Sequence, residues 1–238
     1  MIFTLLFTKK LIIMPNWCNN YIEISGTKSN MKKLYKYFND GQKVIDKYYD
    51  DCRKYREENP DATDNGIGWE ENLVMNTLIP HDKDYKRIEK SGDFLINPQQ
   101  RFYGTKWDFD LREANLNEVR EDYISLAPTT AWSPPSEFCE RLAKKYKVEV
   151  SIQYEEGGVG FVGKEVYTID GIKEQEFYED YYEGLYNLDK ETFWSMVDSD
   201  LEDLDDITEE EFLNKFPFVN DKDRETIRKD YLTSKVND

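Results

Sequence analysis

Residues 148–169 read VEVSIQYEEGGVGFVGKEVYTI, and this stretch decides the predicted fold class. Apolar side chains occupy every second position from Val148 to Tyr154, which is the period of a strand with one buried face. Gly157-Gly158 predicts a tight turn, and residues 161–169 predict a second strand that pairs back on the first. These glycines do not suit phosphate binding, because a strand follows them where a phosphate-binding loop would have a helix.

Two strand-and-helix units are predicted before this hairpin. Residues 21–25 predict a strand that Gly26 ends, and a helix capped by Ser29 follows it. Residues 123–127 predict another strand, and Ser133-Pro134-Pro135 begins a second helix. The predicted order is strand, helix, insertion, strand, strand, helix, strand, strand. This order is typical of an α+β fold with a ferredoxin-like (split βαβ) antiparallel sheet and an extra edge strand.

The sequence divides into three predicted segments. Residues 1–13 precede a second methionine, Met14, and lack the features of a secretory signal, so we expect a dispensable upstream leader. Residues 14–171 are predicted to form the ferredoxin-like domain, with a helical insertion at about 40–68. Residues 172–238 are predicted to form an acidic helical appendage.

Most of the charge of the chain is concentrated near its C-terminal end. The whole chain has a net charge of −17, and the stretch from Glu174 to Glu211 has 16 acidic residues against one lysine, Lys190. Nucleic acids and anionic membranes are held mainly by lysine and arginine, so this balance argues against both as partners. It favours a basic protein partner. Aromatic residues between the acids predict two to four short packed helices rather than disorder.

We define the acidic surface as the eleven carboxylates that we expect to contact such a partner. They are Glu179, Asp180, Glu183, Asp198, Asp200, Glu202, Asp203, Asp205, Asp206, Glu209 and Glu210. The alternative interpretation is that these side chains only keep the protein soluble. The dense run at 200–206 lacks the glycine-containing spacing of an EF-hand, so we expect a solvated helix face rather than a calcium site.

The remaining composition gives no sign of a metal, a cofactor or a membrane segment. Cys18, Cys52 and Cys139 are far apart and form no CxxC pair, which argues against a zinc cluster and fits buried thiols in a reducing compartment. No apolar run reaches the roughly 18–20 residues of a membrane span. We therefore expect a cytoplasmic protein with no cofactor and no metal.

Four short sequence words stand in order along the chain. They are Met14-Pro15-Asn16-Trp17-Cys18-Asn19-Asn20, Leu78-Ile79-Pro80, Tyr103-Gly104-Thr105-Lys106-Trp107-Asp108 and Thr130-Ala131-Trp132-Ser133-Pro134-Pro135. With these words, residues 14–170 resemble the YubB-type ferredoxin-like family, which is found on bacteriophages and conjugative plasmids. His81-Asp82 stands where that family has Met-Pro. The resemblance implies a ferredoxin-like fold and a mobile-element origin, but no reaction, and it does not cover the insertion or the acidic stretch.

The tryptophan-centred words also suggest a candidate pocket. Its residues would be Trp17, Lys106, Trp107, Asp108 and Trp132. The alternative interpretation is a structural cluster of the three tryptophans under the sheet. A nucleophilic Ser133 would need a base, and the chain has a single histidine, His81, in a predicted loop. We therefore assign no catalytic residue.

Two functional hypotheses follow from these features. The first is a phage or mobile-element accessory protein that acts without catalysis, as an anti-CRISPR or anti-restriction inhibitor. Its acidic surface would imitate the phosphates of DNA and occupy a basic host protein such as a defence nuclease or effector complex. Deletion of residues 172–238 would then abolish binding. The second hypothesis is a small-ligand or nucleotide-binding protein, or an enzyme, with its pocket at the tryptophan cluster.

Overall fold

The computed structural model describes residues 16–62, 67–91, 97–202 and 208–237. A seven-stranded antiparallel sheet forms the centre of this part of the chain. Its strands are β1 (Trp17–Ser25), β2 (Leu116–Val119), β3 (Tyr123–Leu126), β4 (Thr129–Ala131), β5 (Glu149–Glu156), β6 (Phe161–Thr168) and β7 (Gly171–Tyr178). The helices are α1 (Lys28–Glu58), α2 (Val74–Leu78), α3 (Lys83–Lys90), α4 (Pro98–Tyr103), α5 (Ser136–Tyr146), α6 (Tyr181–Leu188), α7 (Lys190–Glu202), α8 (Glu209–Asn214) and α9 (Asp221–Asn237).

The strand order confirms the ferredoxin-like prediction. The order is β2-β3-β1-β5-β6-β7, and β4 pairs with β1 beyond the end of β3. Strand β3 therefore lies between β1 and β2, and the chain passes through α1 on its way from β1 to β2. Strand β1 lies between β4 and β5, and α5 joins these two strands. Two interleaved βαβ units of this kind define the split βαβ arrangement. Strands β6 and β7 then extend the sheet beyond β5.

One face of the sheet carries the larger hydrophobic core. In β1, Cys18, Asn20, Ile22 and Ile24 are buried, while the residues between them are not. Strand β5 repeats this period-two pattern, and the buried side chains of both strands meet α1 and α5. The core is therefore built by the alternation that the sequence predicts.

Helix α1 differs from its prediction. The expected insertion at about 40–68 begins inside it, because residues 40–58 continue the same helix without a break. The helix is capped by Thr27, whose side chain accepts a hydrogen bond from the backbone N–H of Asn30, and not by Ser29. Gly41 is buried in the middle of the helix, where the side chain of Leu111 lies against it. The glycine allows this close contact and does not mark a helix end.

Helices α6 to α9 cover part of the opposite face of the sheet. They form a second hydrophobic cluster around Phe193, Phe212 and Phe216, and Val162 of β6 is the strand residue in that cluster. The expectation of helix directly after residue 171 is wrong, because Gly171–Tyr178 pairs with β6 along its length. Gly171 has a φ of 112°, which lets the chain turn back into this strand. The division of the chain at residues 171 and 172 stays a prediction.

Candidate binding surface

The side chain of Asp108 accepts hydrogen bonds from nearby backbone N–H groups. Its carboxylate accepts hydrogen bonds from the backbone N–H groups of Met75 at 2.8 Å, Asn76 at 2.7 Å and Phe109 at 2.8 Å. It therefore satisfies free N–H groups at the start of α2. Burial nevertheless raises the pKa of this carboxyl to about 6. Asp108 holds α2 in place and does not face a shared pocket.

The third and fourth sequence words pack against each other. The hydroxyl of Ser133 donates to the carbonyl oxygen of Gly104 at 2.6 Å, and the hydroxyl of Thr105 donates to that of Ala131 at 3.0 Å. Trp132 lies between them with a φ of 73°, in the left-handed region that bulky residues rarely adopt. These words join the end of α4 to the start of α5. The Ser133 hydroxyl is accordingly occupied as a structural donor.

Trp17, Lys106 and Trp107 come together at the surface. The rings of Trp17 and Trp107 have centroids 6.1 Å apart and are 49% and 43% exposed. The Lys106 ammonium lies 5.1 Å from the centroid of the Trp107 ring. The prediction of a tryptophan cluster under the sheet is therefore wrong. A shallow depression of about 580 Å³ has Trp17 and Arg112 in its wall.

The predicted candidate pocket is thus only partly assembled. Of its five residues, the structure brings Trp17, Lys106 and Trp107 together, whereas Asp108 and Trp132 have the structural places described above. Ligand binding at this pocket stays a prediction.

The acidic surface lies on helices α6 to α8 and on the segment before them. Asp180 caps α6, with Glu179 before it and Glu183 in the first turn. Asp198 and Asp200 lie on α7, and Glu209 and Glu210 begin α8. The side chain of Glu202 and all of Asp203, Asp205 and Asp206 lie outside the described residues.

Local ion pairs reduce the charge of part of the acidic surface. The carboxylate of Asp200 lies 3.2 Å from the ammonium of Lys215, and that of Glu209 lies 2.8 Å from the guanidinium of Arg228. Glu179, Asp198 and Glu210 are exposed and form no ion pair with another described residue. These three carboxylates are therefore the most available to a cation from outside.

A cleft that the sequence does not predict lies between the sheet and α6. We call it the junction cleft; its volume is about 180 Å³. Its lining includes Tyr21, Gln153, Glu155, Leu185, Leu188 and Asp189. The alternation along β1 and β5 could have placed Tyr21, Gln153 and Glu155 on one face. The position of α6 over that face depends on tertiary packing, which no local sequence pattern predicts. Gly184 allows this packing, since it lets the helix backbone approach Val162 closely.

Neutral groups orient the two carboxylates of the junction cleft. Glu155 accepts hydrogen bonds from the side-chain amide of Asn19 at 3.1 Å and from the hydroxyl of Tyr181 at 2.9 Å. Asp189 accepts from the backbone N–H of Thr192 at 3.2 Å and from its hydroxyl at 2.8 Å. Burial, the bond to Glu155 and the nearby charges of Glu155 and Asp189 raise the pKa of Tyr181.

The carboxylates of the buried Glu156 and Glu165 accept hydrogen bonds from neighbouring groups. Glu165 accepts from the hydroxyl of Tyr154 at 3.1 Å and from that of Tyr167 at 2.5 Å. Glu156 accepts from the backbone N–H groups of the following turn. No buried side-chain nitrogen or oxygen of the described residues lacks a hydrogen-bond partner. These hydrogen bonds give the buried carboxylates a structural role.

The cysteines and the histidine also have structural surroundings. Cys18, Cys52 and Cys139 are buried free thiols. Burial and the charge of Glu156 raise the pKa of Cys18 to about 12, so it is not an activated nucleophile at neutral pH. The ring of His81 stacks on Tyr85 with centroids 3.5 Å apart. In the part of the chain that the structure describes, no group of His, Cys, Asp and Glu residues is arranged to hold a metal ion.

None of the described helices is both long enough and apolar enough to cross a bilayer.

Residues 102–198 match the family described as the ferredoxin-like domain in Api92-like protein. This segment runs from α4 into α7, so it includes β7 and α6. The matched segment extends beyond residue 170, where the resemblance carried by the four sequence words ends, and it does not test the YubB-type resemblance itself. Strand β1 and helix α1 lie before the matched segment. The match supports the ferredoxin-like fold that the strand order shows.

One solved structure is similar to this chain. It is the crystal structure of a protein api92 from Yersinia pseudotuberculosis, with 14% sequence identity and a TM-score of 0.42. The similarity covers 69% of this chain and 98% of that chain. No curated protein matches the sequence. Neither the family nor the api92 protein is described with a reaction or a ligand.

Proposed function

We propose that this protein acts without catalysis, by binding a basic protein through the carboxylates of its C-terminal helices. The observation that carries this proposal is the set of exposed, unneutralised carboxylates on and before α6 to α8. Glu179, Asp198 and Glu210 are exposed and lack an ion pair within the described chain. A surface of one charge attracts a partner of the opposite charge and accelerates its association.

The distribution of basic residues supports this proposal. Lys190, the one basic residue between Glu174 and Glu211, lies 3.3 Å from Asp223 of α9. Lys215 and Arg228 neutralise Asp200 and Glu209, but both stand outside that stretch of sequence. Sixteen acidic residues against one lysine leave a charge that these few contacts do not cancel. The negative charge that remains is available to attract a basic partner.

The buried groups support binding rather than chemistry. A catalytic acid or nucleophile must be able to reach the substrate, and its pKa must match its task. Asp108 and Ser133 are committed to the backbone, and Cys18 has a strongly raised pKa. Asp108, Ser133 and Cys18 therefore have structural surroundings.

The specific form of the proposal rests on the sequence resemblance to proteins of bacteriophages and conjugative plasmids. On that basis the partner is a basic host protein of a defence system, such as a CRISPR effector or a restriction nuclease. Spaced carboxylates would occupy the groove that otherwise holds DNA phosphates. The host cytoplasm is then the place of action.

Charge neutralisation tests this proposal on the full chain. Tagged wild type is incubated with lysate of a bacterium that carries defence systems, and retained basic proteins are identified at about 0.05 M and about 0.5 M salt. We expect a nucleic-acid-binding protein that is retained only at low salt. The triple variant Glu179→Gln/Asp198→Asn/Glu210→Gln should bind that purified protein at least about tenfold more weakly, which is about 1.4 kcal/mol.

A matched control separates a specific surface from total charge. Glu70, Glu71 and Glu89 are exposed residues far along the chain from the acidic surface, and their change to glutamine removes the same number of charges. We expect this control to lower affinity by less than about threefold. Equal losses in both variants, or no loss in the first, would contradict the proposal. Deletion of residues 172–238 is a poorer test, because it also removes strand β7.

A second candidate function is favoured by the exposed pair of Trp17 and Trp107. Two exposed rings with a lysine nearby can stack on a planar anionic ligand such as a nucleotide. Titration with nucleoside monophosphates should then quench tryptophan fluorescence, and Lys106→Ala should abolish this quenching without loss of stability. Equal quenching in Lys106→Ala and wild type would argue against binding at this pair.

A further inference from the structure

We propose that the junction cleft binds the guanidinium group of an arginine side chain presented by the basic protein partner. This inference rests on the proposed function and names the contact that would give it specificity. The cleft brings together two carboxylates, a tyrosine ring and an apolar floor, which are the groups that a guanidinium contacts favourably.

The size of the junction cleft suits one side chain. Its volume is about 180 Å³. Pockets for drug-sized ligands usually have volumes of about 300–1,000 Å³. The junction cleft is therefore too small for most cofactors, and a single long side chain is the occupant that fits.

The charge of the cleft selects a cation. Glu155 and Asp189 contribute two carboxylates, and no lysine or arginine is among the described residues that line the cleft. Lys190 follows Asp189 in sequence, but its ammonium lies 4.4 Å from the centroid of the Tyr186 ring and 3.3 Å from Asp223. Hydrogen bonds from Asn19, Tyr181 and Thr192 orient the two carboxylates without neutralising them.

The walls of the cleft favour guanidinium over ammonium. Tyr21 lines the cleft and is 38% exposed, and a planar guanidinium stacks on an aromatic ring better than a compact, strongly hydrated ammonium. Leu185 and Leu188 of α6 can cover the aliphatic stem of the incoming side chain. The side chain of Gln153 donates to the carbonyl oxygen of Leu188 at 3.3 Å and fixes this wall to the sheet.

The surroundings of the cleft fit a longer segment of a partner. Trp17 and Asn19 lie on β1 on the same face as Tyr21, because side chains alternate between the faces of a strand. The exposed Trp17 and Trp107 rings therefore lie beyond the cleft along this strand. An arginine in the cleft would place neighbouring apolar residues of the partner near these rings.

Titration with a single-residue probe tests the cleft directly. N-acetyl-arginine amide is added to the isotope-labelled full chain, and backbone amide signals are followed by NMR. We expect saturable shifts at Tyr21, Gln153 and Asp189, with a dissociation constant on the order of 1–10 mM. The citrulline analogue, which is neutral, should give no saturable shift. The lysine analogue should bind at least about fivefold more weakly.

Charge variants locate the probe in the cleft. Glu155→Gln and Asp189→Asn remove the charge, while the amide oxygen can still accept from the Tyr181 hydroxyl or from the backbone N–H of Thr192. Each variant should weaken arginine binding at least about fivefold. Glu149→Gln is the matched control, because Glu149 lies on the same strand and face as Glu155 and pairs with Lys173 outside the cleft. We expect the control to bind arginine as the wild type does.

Several outcomes would overturn the inference. Equal binding of the lysine or citrulline analogue, shifts outside the cleft, or an effect of Glu149→Gln equal to that of Glu155→Gln would each do so. If arginine fails to bind the cleft while the basic protein still binds in a salt-dependent manner, only this inference fails. If the basic protein also fails to bind, the proposed function fails as well.

Discussion

Gly104 allows the third and fourth sequence words, residues 103–108 and 130–135, to pack closely against each other. Its φ is 92°, and a Cβ at this position would lie 2.8 Å from both the carbonyl oxygen of Pro134 and the backbone nitrogen of Ser136. We expect Gly104→Ala to lower the free energy of unfolding by at least about 2 kcal/mol, because backbone strain and a backbone clash add. Urea denaturation measures this loss.

Substitutions at two other glycines allow the cost of backbone strain and the cost of the clash to be measured separately. Gly171 has a φ of 112°, but a Cβ added there would meet no atom within 4 Å, so Gly171→Ala should cost only the strain, about 1 kcal/mol. Gly68 has neither feature, and Gly68→Ala should leave stability nearly unchanged. A loss at Gly104 no larger than at Gly171 would contradict the packing role.

Asp108 gives a prediction on pH. Burial raises its pKa from 3.8 to about 6, so the proton is held more tightly in the folded than in the unfolded chain. The resulting stabilisation is fully present below pH 3.8 and is lost as the pH rises through about 6. The wild type should therefore gain stability relative to Asp108→Asn between pH 7.5 and 5, by at most about 1.4 kcal/mol per pH unit.

Urea denaturation of both proteins at several pH values measures that difference. A difference that is constant or shrinks as the pH falls would mean that the N–H groups of Met75, Asn76 and Phe109 keep the carboxylate ionised.

Some residue roles can be predicted from the sequence, and others cannot. The buried positions of β1 and β5 follow from period-two alternation, which needs only local information. The role of Asp108 depends on contact with Met75 and Asn76, more than thirty positions before it in the chain. No local pattern carries that contact. The same limit explains why the prediction of Trp17 and Trp107 under the sheet is wrong.

At the scale of elements, composition is misleading at β7. The segment GIKEQEFY is polar and acidic, so its charge resembles that of the helices after it. Its strand conformation comes from pairing with β6, which tertiary context supplies. The insertion expected at about 40–68 likewise begins inside α1, where Gly41 allows close packing of Leu111.

Gly184 controls how α6 meets the sheet. A Cβ there would lie 2.5 Å from the Cβ and 3.0 Å from a methyl carbon of Val162. We expect Gly184→Ala to push α6 away from β6 and to lower the free energy of unfolding by about 1–3 kcal/mol. Hydrogen exchange should become faster in α6 and α7 and stay unchanged in β1 and β5.

Asn187→Ala, an exposed change on the same helix, is the control for this prediction and should not accelerate exchange. Equal protection of α6 in Gly184→Ala and wild type would show that the helix tolerates the added methyl group. The junction cleft should be lost together with the contact, since Leu185, Leu188 and Asp189 follow Gly184 in the chain.

At the scale of the whole molecule, the net charge of −17 predicts a dependence on salt. Repulsion among the carboxylates destabilises the folded chain, and salt screens it. We expect the Tm to rise by about 2–4 °C between about 0.02 M and about 0.3 M NaCl, equivalent to about 1 kcal/mol. A fall in Tm would mean that the surface ion pairs outweigh the repulsion.

Strand β7 ends the sheet, and within the described residues no strand pairs with its outer side. Such a strand is a template on which a second copy of a protein can assemble. If two copies met there in antiparallel register about Gln175, Glu174 of one would lie opposite Glu176 of the other, and these like charges would repel. The carboxylates would thus guard against self-assembly at neutral pH. Near the sequence pI of about 4.6 this protection weakens, and the protein should be handled as prone to precipitate.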